Sequence, residues 1–492
     1  MRRPRPFGPD RVATGRRELG TVGEAKRQQE AEQRILADFR AVEAELDRRW
    51  PESRIEPTLT RIAALVDLLG DPQRAYPVVH VAGTNGKTST ARMIDALLTE
   101  AGLRTGRYTS PHLQRATERI SLDNQPIQPA RYVEIFREIA PYVAMVDAAQ
   151  AGQPALSKFE VLTAMAFAAF ADAPVEAAVV EVGLGGTWDA TNVADGAVSV
   201  VTPIGLDHAE YLGTELAGIA REKAGIIKPG SIAVLAAQDG QAAAVLLERC
   251  AQLGATVARQ GLEFGVLRRT RAVGGQVLRL QGLGGAYDDV FLPLHGEHQA
   301  SNASVALAAA EALLGAGAGY QLGADVVRAA FAEVSAPGRL ERLRTAPLVL
   351  ADSAHNPHGA RALAAALTDE FRIQRLVGVV GMMRDKDARG LLEELQPVLH
   401  DIVVTTSSSP RAYDVDELAA VAVDVFGVDR VTVEPRLADA VEQAVRLAEE
   451  IDEDAGLADS LEVGTLASGG VLITGSVATV GEARALFGKI EA

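Results

Sequence analysis

The stretch His80–Thr90, HVAGTNGKTST, matches the second half of the phosphate-binding pattern G-x-x-x-x-G-K-[ST]. Gly86 and Lys87 fit the end of that pattern, but Val81 stands where its first glycine is expected. The preceding run YPVVHVAG indicates a strand, and TSTARMIDALLTEAG after it repeats apolar residues at helical spacing. A strand–loop–helix unit of this kind directs backbone N–H groups and a lysine at an anion. The alternative is a glycine-rich turn that binds no ligand.

Strands and helices alternate downstream of this unit. The apolar runs LRTGRYTS, EAAVVEVG (176–183) and AVSVVTPIG (197–205) predict strands that are buried on both faces. Such alternation predicts an α/β fold with a mostly parallel sheet between two layers of helices. Glycine-punctuated segments from Ala255 to Leu294 predict antiparallel strands, and a helix is expected at Gln299–Leu314.

A second, smaller α/β domain is predicted after Pro337. The turn-rich joint SAPGRLE (335–341) precedes a new series of apolar runs, which are PLVLADSAH, RLVGVVGMM, DIVVTTSS, RVTVEP and GGVLITGS. At the other end of the chain, the first 20 residues are rich in arginine and proline and predict a disordered arm. A charged helical pattern follows from about Glu24 to Trp50.

Composition excludes several classes of protein. The 492 residues carry a formal net charge of −16, which disfavours a surface for nucleic acid or anionic membranes. Cys250 is the only cysteine, so the chain has no internal disulfide and suits the reducing cytoplasm. The longest apolar stretch, Ala164–Val182, contains Asp172, Pro174 and Glu176 and is not a membrane span.

Polar side chains follow several of the predicted strands. Glu181 lies near the end of one, Asp207 and His208 follow another, and Ser110 and His112 follow a third. Ligands of parallel α/β sheets bind beyond the carboxyl ends of the strands, so these residues are expected near the glycine-rich loop. Together they predict a Mg²⁺–phosphate site. Each residue also has an ordinary alternative, such as capping a turn, lying in a loop or pairing with a lysine.

Eight ordered motifs between Arg61 and Ser476 give the chain a family resemblance. They are AGTNGKTS, YTSPHL, FEVLTAMAF, EVGLGGTWDATN, LDHAEYLG, REKAGIIKPG, APGRLE and DSAHNPHG. This set resembles the folylpolyglutamate synthase/dihydrofolate synthase family, which is related to the Mur peptidoglycan ligases. The resemblance implies a P-loop ATPase domain with a mostly parallel sheet at 51–336. It also implies a smaller C-terminal Rossmann-like α/β domain at 337–492. The N-terminal arm and helix at 1–50 lie outside the resemblance.

The resemblance also implies a reaction. Members of this family use ATP to convert a folate carboxylate into an acyl phosphate, which the amine of L-glutamate then attacks to form an amide. The expected small-molecule partners are ATP, L-glutamate and either a reduced folate or dihydropteroate, with two Mg²⁺ ions as cofactors. A monomer in the cytoplasm, without nucleic acid or membrane partners, is expected. Charge neutralisation by Lys87 and Mg²⁺ is then the main requirement for phosphoryl transfer.

Site residues are carried over from the family motifs by position. Lys87, Lys223 and His355 are the expected catalytic residues, and His355 has the least certain role. The expected ATP contacts are Thr84, Asn85, Gly86, Lys87, Thr88, Asn302, Arg339 and Asp352. The expected metal ligands are Ser110 and Glu181 for one ion, with His208 and Lys223 for a second. The expected substrate contacts are Phe159, Glu160, Trp188, Asp189 and Ala190.

Lys223 is an unusual metal ligand because an ammonium group has no lone pair. From the sequence alone, an ion pair with Glu222 or a direct phosphate contact is the simpler interpretation. The family lysine is carbamylated, however, and the resemblance therefore implies that Lys223 adds CO₂ and becomes a carboxylate. Two departures from the family motifs affect this region: Thr88 replaces a frequent glycine, and Thr187 replaces an arginine.

Three other functions are weighed against this one. A Mur-type ligase of UDP-muramoyl peptides would carry a folded nucleotide-sugar domain before the loop, where this chain has fewer than 80 residues. A nucleotide-gated binding protein would need the loop but not the residues at the strand ends. A dinucleotide oxidoreductase is disfavoured because GLGG lacks the spacing G-x-G-x-x-G.

Overall fold

The fold was analysed in a computed structural model of the chain. The described residues are 15–51, 56–149, 152, 154–315, 317, 320–450 and 469–489, with 15–25 described by their backbone only. Residues 1–14 of the predicted arm therefore lie outside the described residues. Helix α1 (Gly15–Asp47) begins well before the predicted start near Glu24, so residues 15–20 are helical rather than part of a disordered arm.

The first sheet has eight strands in the order β4-β3-β2-β5-β1-β6-β7-β8. Their bounds are β1 Val78–Ala82, β2 Thr105–Tyr108, β3 Ile120–Leu122, β4 Gln125–Pro126, β5 Ala177–Glu181, β6 Gly196–Val201, β7 Ile232–Leu235 and β8 Thr256–Arg259. The strands from β2 to β8 in this order run parallel, and β3 and β4 form an antiparallel edge. This confirms the predicted α/β fold.

Helices cover both faces of this sheet. They are α2 Thr60–Leu68, α3 Lys87–Glu100, α4 Pro129–Ala149, α5 Lys158–Asp172, α6 Ala209–Leu212, α7 Leu216–Lys223, α8 Gly240–Leu253, α9 Glu297–Leu313 and α10 Ala324–Ala332. Alternate residues of a strand face opposite sides. Accordingly, Val79 and Val81 of β1 pack in the core that contains α3 and α9, while Val78 packs in the core that contains α2 and α5. All five residues of β1 are buried, and its one polar residue, His80, lies 2.9 Å from the Thr191 hydroxyl through its Nε2.

A separate three-stranded antiparallel sheet follows, with the order β11-β10-β9. Its strands are β9 Gly265–Ala272, β10 Gly275–Gln281 and β11 Ala286–Leu292. The prediction of antiparallel strands from Ala255 was wrong for the first of them. Thr256–Arg259 instead extends the main sheet, because it pairs in parallel with β7.

The C-terminal unit is built on a six-stranded sheet with the order β12-β13-β17-β14-β15-β16. Its strands are β12 Glu341–Arg344, β13 Leu348–Ala351, β14 Arg375–Val380, β15 Asp401–Val404, β16 Val431–Val433 and β17 Gly469–Thr474. Its helices are α11 Pro357–Glu370, α12 Ala388–Leu395, α13 Val415–Phe426, α14 Leu437–Glu449 and α15 Val477–Leu486. Only β12 is antiparallel to its neighbour among these described strands. The domain boundaries at 51 and 337 stay predictions.

Contacts between the two units fix the cleft that separates them. Arg269 of β9 pairs with Glu370 at the end of α11, and the Glu370 carboxylate also accepts from the backbone N–H of Gly296 at 3.1 Å. On the other side, Gln114 hydrogen-bonds to Arg484 of α15 at 2.6 Å.

Short 3₁₀ helices lie at Pro72–Arg74, Ala116–Arg119, Ala190–Val193, Ala224–Ile226 and Val428–Arg430. Across the described ranges, every helix is too short or too polar to cross a bilayer.

Candidate active site

The glycine-rich loop joins β1 to α3 and is shaped by two glycines. Gly83 and Gly86 have φ angles of 143° and 87°, which residues with a side chain rarely adopt. A Cβ atom on Gly83 would lie 1.9 Å from Thr202 Oγ1, and one on Gly86 would lie 2.6 Å from Asn302 Oδ1. Val81 is a fully buried residue of β1. The position at which the pattern expects its first glycine therefore lies within β1, where the backbone is extended and no positive φ is needed.

Lys87 is the first residue of α3 and its side chain folds back over the loop. Its Nζ donates to the carbonyl oxygens of Gly83 and Thr84, both at 3.1 Å. Burial lowers the pKa of Lys87, while the nearby carboxylate of Glu181 opposes that shift. A charge held in this low-dielectric position acts strongly on a phosphate that enters the loop.

Glu181 ends β5 and faces the start of α3. Its Oε1 accepts a hydrogen bond from Thr88 Oγ1 at 2.9 Å, while Oε2 is buried and has no hydrogen-bond partner among the described residues. Burial raises the pKa of Glu181, and the charge of Lys87 opposes this. Ser110 lies beside it on the wall of the same cavity, and its backbone lowers the pKa of the carboxylate. An unpartnered buried carboxylate oxygen next to a hydroxyl suits a Mg²⁺ ligand set.

The segment after β6 carries a charged cluster centred on Asp207. The Asp207 carboxylate accepts from Lys386 Nζ at 2.7 Å and from Asn356 Nδ2 at 3.0 Å, and His355 Nε2 lies 3.5 Å from it. Burial alone would raise the pKa of Asp207, but His355, Lys386 and His208 reverse this and hold it well below its usual range. The cluster joins a loop of the first unit to the C-terminal unit.

His208 adopts a left-handed backbone conformation, with φ of 50°. Its Nε2 lies 3.1 Å from Lys386 Nζ. Burial lowers the pKa of His208 to about 3, despite the opposing charge of Asp207. The ring is therefore neutral at physiological pH and keeps a lone pair for a metal ion.

Lys223 is the last residue of α7 and is buried, with 4% of its surface exposed. Burial and the charge of Lys87 lower the pKa of Lys223 to about 7. Across the described residues, its ammonium makes no ion pair or hydrogen bond, so the alternative of a Lys223–Glu222 pair is not observed. The loop GLGGTWDA packs directly on this helix end: a Cβ on Gly186 would lie 3.0 Å from the Lys223 Cα, and Thr187 N donates to the carbonyl of Glu222 at 3.0 Å.

Side chains of the C-terminal unit meet the phosphate loop directly. Asn85 Nδ2 donates to Asn356 Oδ1 at 3.1 Å and lies 2.8 Å from His358 Nδ1. Asp352 accepts from the backbone of Leu340 and Ala354, both at 2.8 Å, and so fixes the chain around Arg339. Sequence reasoning did not assign Asn356, His358 or Lys386 to the site, and it placed Asp207 near the loop without a specific role. The motif AHNPH, which contains His355, was the available signal for Asn356 and His358.

Two cavities meet at this cleft. The smaller, of about 220 Å³, is lined by the loop and by every residue predicted to bind ATP or metal. The larger, of about 520 Å³, is lined by every residue predicted to contact the acceptor substrate. Ser110, Gly183, His208 and His355 line both cavities, which places the junction beside the strand ends. The predicted residues are thus brought together, although their individual roles stay predictions.

Two residues predicted to contact the substrate, Glu160 and Asp189, direct their carboxylates at other groups of the protein. The Glu160 carboxylate accepts from Arg61 Nε at 3.1 and 3.2 Å and from Ser157 N at 2.8 Å. The Asp189 carboxylate accepts from Leu184 N at 2.9 Å and from Thr191 Oγ1 at 2.5 Å. Both therefore hold the cavity wall in place.

Aromatic and small residues form the rest of that wall. Phe159 lies against Gly183, where a Cβ would approach its Cζ to 2.6 Å, and 6.0 Å from the ring of Tyr108. Trp188 covers Gly185 in the same way, at 2.8 Å, and Ala190 lies beside it. Within the described ranges, no group of three or more His, Cys, Asp and Glu side chains could hold a metal ion. A Mg²⁺ ion here would take further ligands from hydroxyl groups, phosphate oxygens and water.

Comparison with known proteins places both units in one group of enzymes. Residues 81–310 match the Mur ligase middle domain, and residues 338–455 match the Mur ligase glutamate ligase domain. The dihydrofolate synthase/folylpolyglutamate synthase of Mycobacterium tuberculosis is 56% identical over 465 residues, covering 92% of this chain and 95% of that protein. The enzyme of the same description from Escherichia coli is 33% identical over 364 residues, covering 74% and 81%.

Solved structures agree with these matches. Folylpolyglutamate synthase of Mycobacterium tuberculosis, complexed with ADP and AMPPCP, has a TM-score of 0.87 and 54% identity, covering 93% of this chain and all of that chain. Escherichia coli FolC in complex with DHPP and ADP has a TM-score of 0.76 and 28% identity, covering 92% and 97%. The Mur-type alternative is supported only by the two domain matches, which the wider superfamily shares. The chain therefore belongs to the folylpolyglutamate synthase/dihydrofolate synthase family of ATP-dependent amide-forming ligases.

Proposed function

We propose that the protein adds L-glutamate to the γ-carboxyl group of reduced folates and to dihydropteroate, with ATP as the phosphoryl donor. The observation that carries this proposal is the junction of the two cavities at Ser110, His208 and His355. A nucleotide held in the loop cavity would present its γ-phosphate to a carboxylate held at that junction. Positioning of this kind supplies much of the catalysis in phosphoryl transfer.

The nucleotide would lie in the cavity of about 220 Å³. The backbone from Thr84 to Thr88 and the N-terminus of α3 would hold the phosphates, and Lys87 would neutralise them. For Lys87 this means exchanging its two carbonyl acceptors for phosphate oxygens. Asn302 abuts the loop at Gly86, while Arg339 and Asp352 approach from the C-terminal unit.

Mg²⁺ suits the residues beside the loop. Ser110 and Glu181 would hold one ion, because the hydroxyl and the unpartnered Oε2 oxygen offer oxygen ligands. His208 and a carbamylated Lys223 would hold a second. When bound, these ions would offset the negative charge that accumulates between the nucleotide and the carboxylate.

Carbamylation of Lys223 is supported by its surroundings. A pKa of about 7 leaves a large neutral fraction at physiological pH, and only the neutral amine adds CO₂. The Nζ–C bond forms as the nitrogen loses a proton, and the side chain changes from a cation to a carboxylate. Lys87 lies close enough to depress the Lys223 pKa and would stabilise the new negative charge.

The larger cavity has two chemically different ends, one suited to the pterin acceptor and the other to L-glutamate. Phe159, Trp188 and Ala190 form an aromatic, apolar end that suits the flat ring of a pterin. Lys386 and Arg411 line the end that belongs to the C-terminal unit and suit the carboxylates of L-glutamate. The acceptor would span the junction with its carboxylate between them.

The reaction then follows in two steps. An oxygen of the acceptor carboxylate attacks the γ-phosphorus of ATP, the bond to the β-phosphate oxygen breaks, and ADP leaves. The glutamate amine attacks the resulting acyl phosphate, phosphate leaves with the bonding electron pair, and the amine loses its proton. His355 lies at the junction and is the candidate to accept that proton, while Asp207, 3.5 Å from its Nε2, would orient its ring. The proposal includes action as a monomer in the cytoplasm.

Labelled L-glutamate tests the substrate assignment. Purified protein with MgATP is offered a reduced folate monoglutamate, dihydropteroate or a UDP-muramoyl peptide as acceptor. Incorporation into both pterins is expected, with ADP and phosphate formed in equal amounts. Incorporation into the muramoyl peptide alone would contradict the proposal.

A further inference from the structure

Trp50 lines the larger cavity although it precedes both matched domains, which begin at residues 81 and 338. It follows helix α1, three residues after Asp47. The chain has two tryptophans, and both line this one cavity. The N-terminal helix thus delivers an aromatic side chain to a site otherwise made by the two catalytic units.

The backbone of Trp50 is fixed to the cavity wall. Its carbonyl accepts a hydrogen bond from Lys158 N at 3.0 Å, and it forms a parallel β-bridge with Ser157. Phe159 and Glu160 follow immediately in the first turn of α5. Trp50 is therefore held at the helix end that supplies two other residues of the wall.

Helix α1 is anchored firmly enough to position this residue. Val42 and Leu46 are buried in the same core as α2 and α5, with 5% and 0% of their surfaces exposed. Lys158 forms an ion pair with Asp47 at 2.7 Å, and Arg49 forms one with Asp147 at 3.0 Å. These contacts tie the residues just before Trp50 to α4 and α5.

The position within the cavity indicates which part of the substrate Trp50 meets. Trp50 lies with Arg61, Phe159 and Trp188 on the larger cavity and does not line the phosphate-loop cavity. Trp50 is half-buried. An indole that lines the cavity beside two further aromatic side chains suits a planar heterocyclic ring.

We propose that Trp50 is a substrate-binding residue, contributed by the N-terminal helix, that packs against the pteridine ring of the acceptor. This inference rests on the proposed function, because it assumes a pterin acceptor in the larger cavity. It assigns to the N-terminal helix a part in acceptor selection, and it makes no claim on ATP or L-glutamate binding.

Steady-state kinetics with three variants tests this role. In Trp50→Leu the apolar volume is retained but the flat ring is lost, and KM for the reduced folate is expected to rise about tenfold. KM for ATP and kcat at saturating folate are expected to stay within about twofold. Trp50→Phe, which restores a ring, is expected to recover most of the affinity. Asp38→Asn removes an exposed ion pair between α1 and Arg137 of α4, away from the cavity, and is the matched control, with an unchanged KM.

A second measurement separates ring contact from general loosening of the site. Isothermal titration compares the reduced folate with p-aminobenzoyl-L-glutamate, which lacks the pteridine. Trp50→Leu is expected to weaken binding of the folate alone. Equal weakening of both ligands, an unchanged folate KM, or the same KM increase in Asp38→Asn would overturn the role of Trp50. Absence of turnover with any pterin in the unaltered protein would overturn the proposed function and this inference together.

Discussion

Removal of CO₂ is expected to inactivate the enzyme through Lys223. The magnitude follows from the environment of the amine, because burial and the charge of Lys87 lower its pKa to about 7. At pH 8 such an amine is roughly nine-tenths neutral, whereas a lysine of ordinary pKa near 10.4 would be neutral in only about 0.4% of molecules. The folded protein thus makes the group that reacts with CO₂ more than a hundredfold more abundant.

The pH dependence has a definite sign. Protonation of Lys223 removes the lone pair that attacks CO₂, so the carbamate is lost as the pH falls through about 7. Between pH 8 and pH 6 the neutral fraction drops roughly tenfold. Bicarbonate is therefore expected to activate the enzyme, and the CO₂ concentration needed for half-activation should rise as the pH is lowered.

Carbon-13 NMR with ¹³CO₂ measures the modification directly. A carbamate resonance is expected in the unaltered protein, and it should be absent from Lys223→Ala. Lys228→Ala is the matched control and should retain the resonance, since Lys228 is a partly buried lysine that donates to the carbonyl of Asn192. Lys223→Ala is expected to bind ATP but to lose roughly 10²–10³ in kcat.

Two results would refute this reasoning. One is full activity of Lys223→Ala. The other is an unaltered protein that turns over at its normal rate in CO₂-free buffer and gives no carbamate resonance when ¹³CO₂ is supplied. The first result would make Lys223 dispensable, and the second would leave it an unmodified lysine. In both cases the second metal site would lose its acidic ligand.

Lys87→Ala is expected to remain folded and to lose about 2.7–4 kcal/mol of transition-state stabilisation, because one donor to the transferred phosphate is removed; steady-state kcat checks this, and a near-normal value would contradict the role. Asp95→Asn is expected to lower the free energy of unfolding by about 3–5 kcal/mol, since it removes the carboxylate that pairs at 2.6 Å with the fully buried guanidinium of Arg107. Urea unfolding measures this, with Asp424→Asn as control: its ion pair with Arg389 is exposed and is worth at most about 1 kcal/mol. Equal losses in the two variants would rule out the effect of burial.

Local patterns in the sequence predicted the part of the site that is formed by residues close together along the chain. The strand–loop–helix unit around Lys87 is set by glycine spacing and hydrophobic periodicity, both of which are visible along the chain. Glu181, Ser110 and His208 were placed together because parallel strands end at one edge of a sheet. The observed order β2-β5-β1-β6 places β5 and β6 on either side of β1, with β2 next to β5.

Contacts between the two units were not predictable in the same way. Lys386 lies 179 residues from Asp207 along the chain, and no local pattern indicates that they meet. The packing of Asn356 and His358 against Asn85 depends equally on how the domains dock. The motifs identify Glu160 and Asp189 but not their hydrogen-bond partners within the protein. Those hydrogen bonds could therefore not be predicted from the motifs.

The N-terminal region shows a further limit. Charge and composition predicted a helix before Trp50 but indicated neither its earlier start nor its place beside the cavity. Those features follow from tertiary contacts, such as the burial of Leu46 and the bridge between Trp50 and Ser157. Local composition carries no information on them.

Transfer of oxygen from the acceptor to phosphate tests the central claim most directly. A reduced folate labelled with ¹⁸O in its γ-carboxyl group is incubated with the protein, MgATP and L-glutamate, and the released phosphate is analysed by mass spectrometry. If ATP activates the carboxylate as an acyl phosphate, each amide bond formed delivers one carboxyl oxygen to phosphate. Amide formation accompanied by unlabelled phosphate would contradict the account.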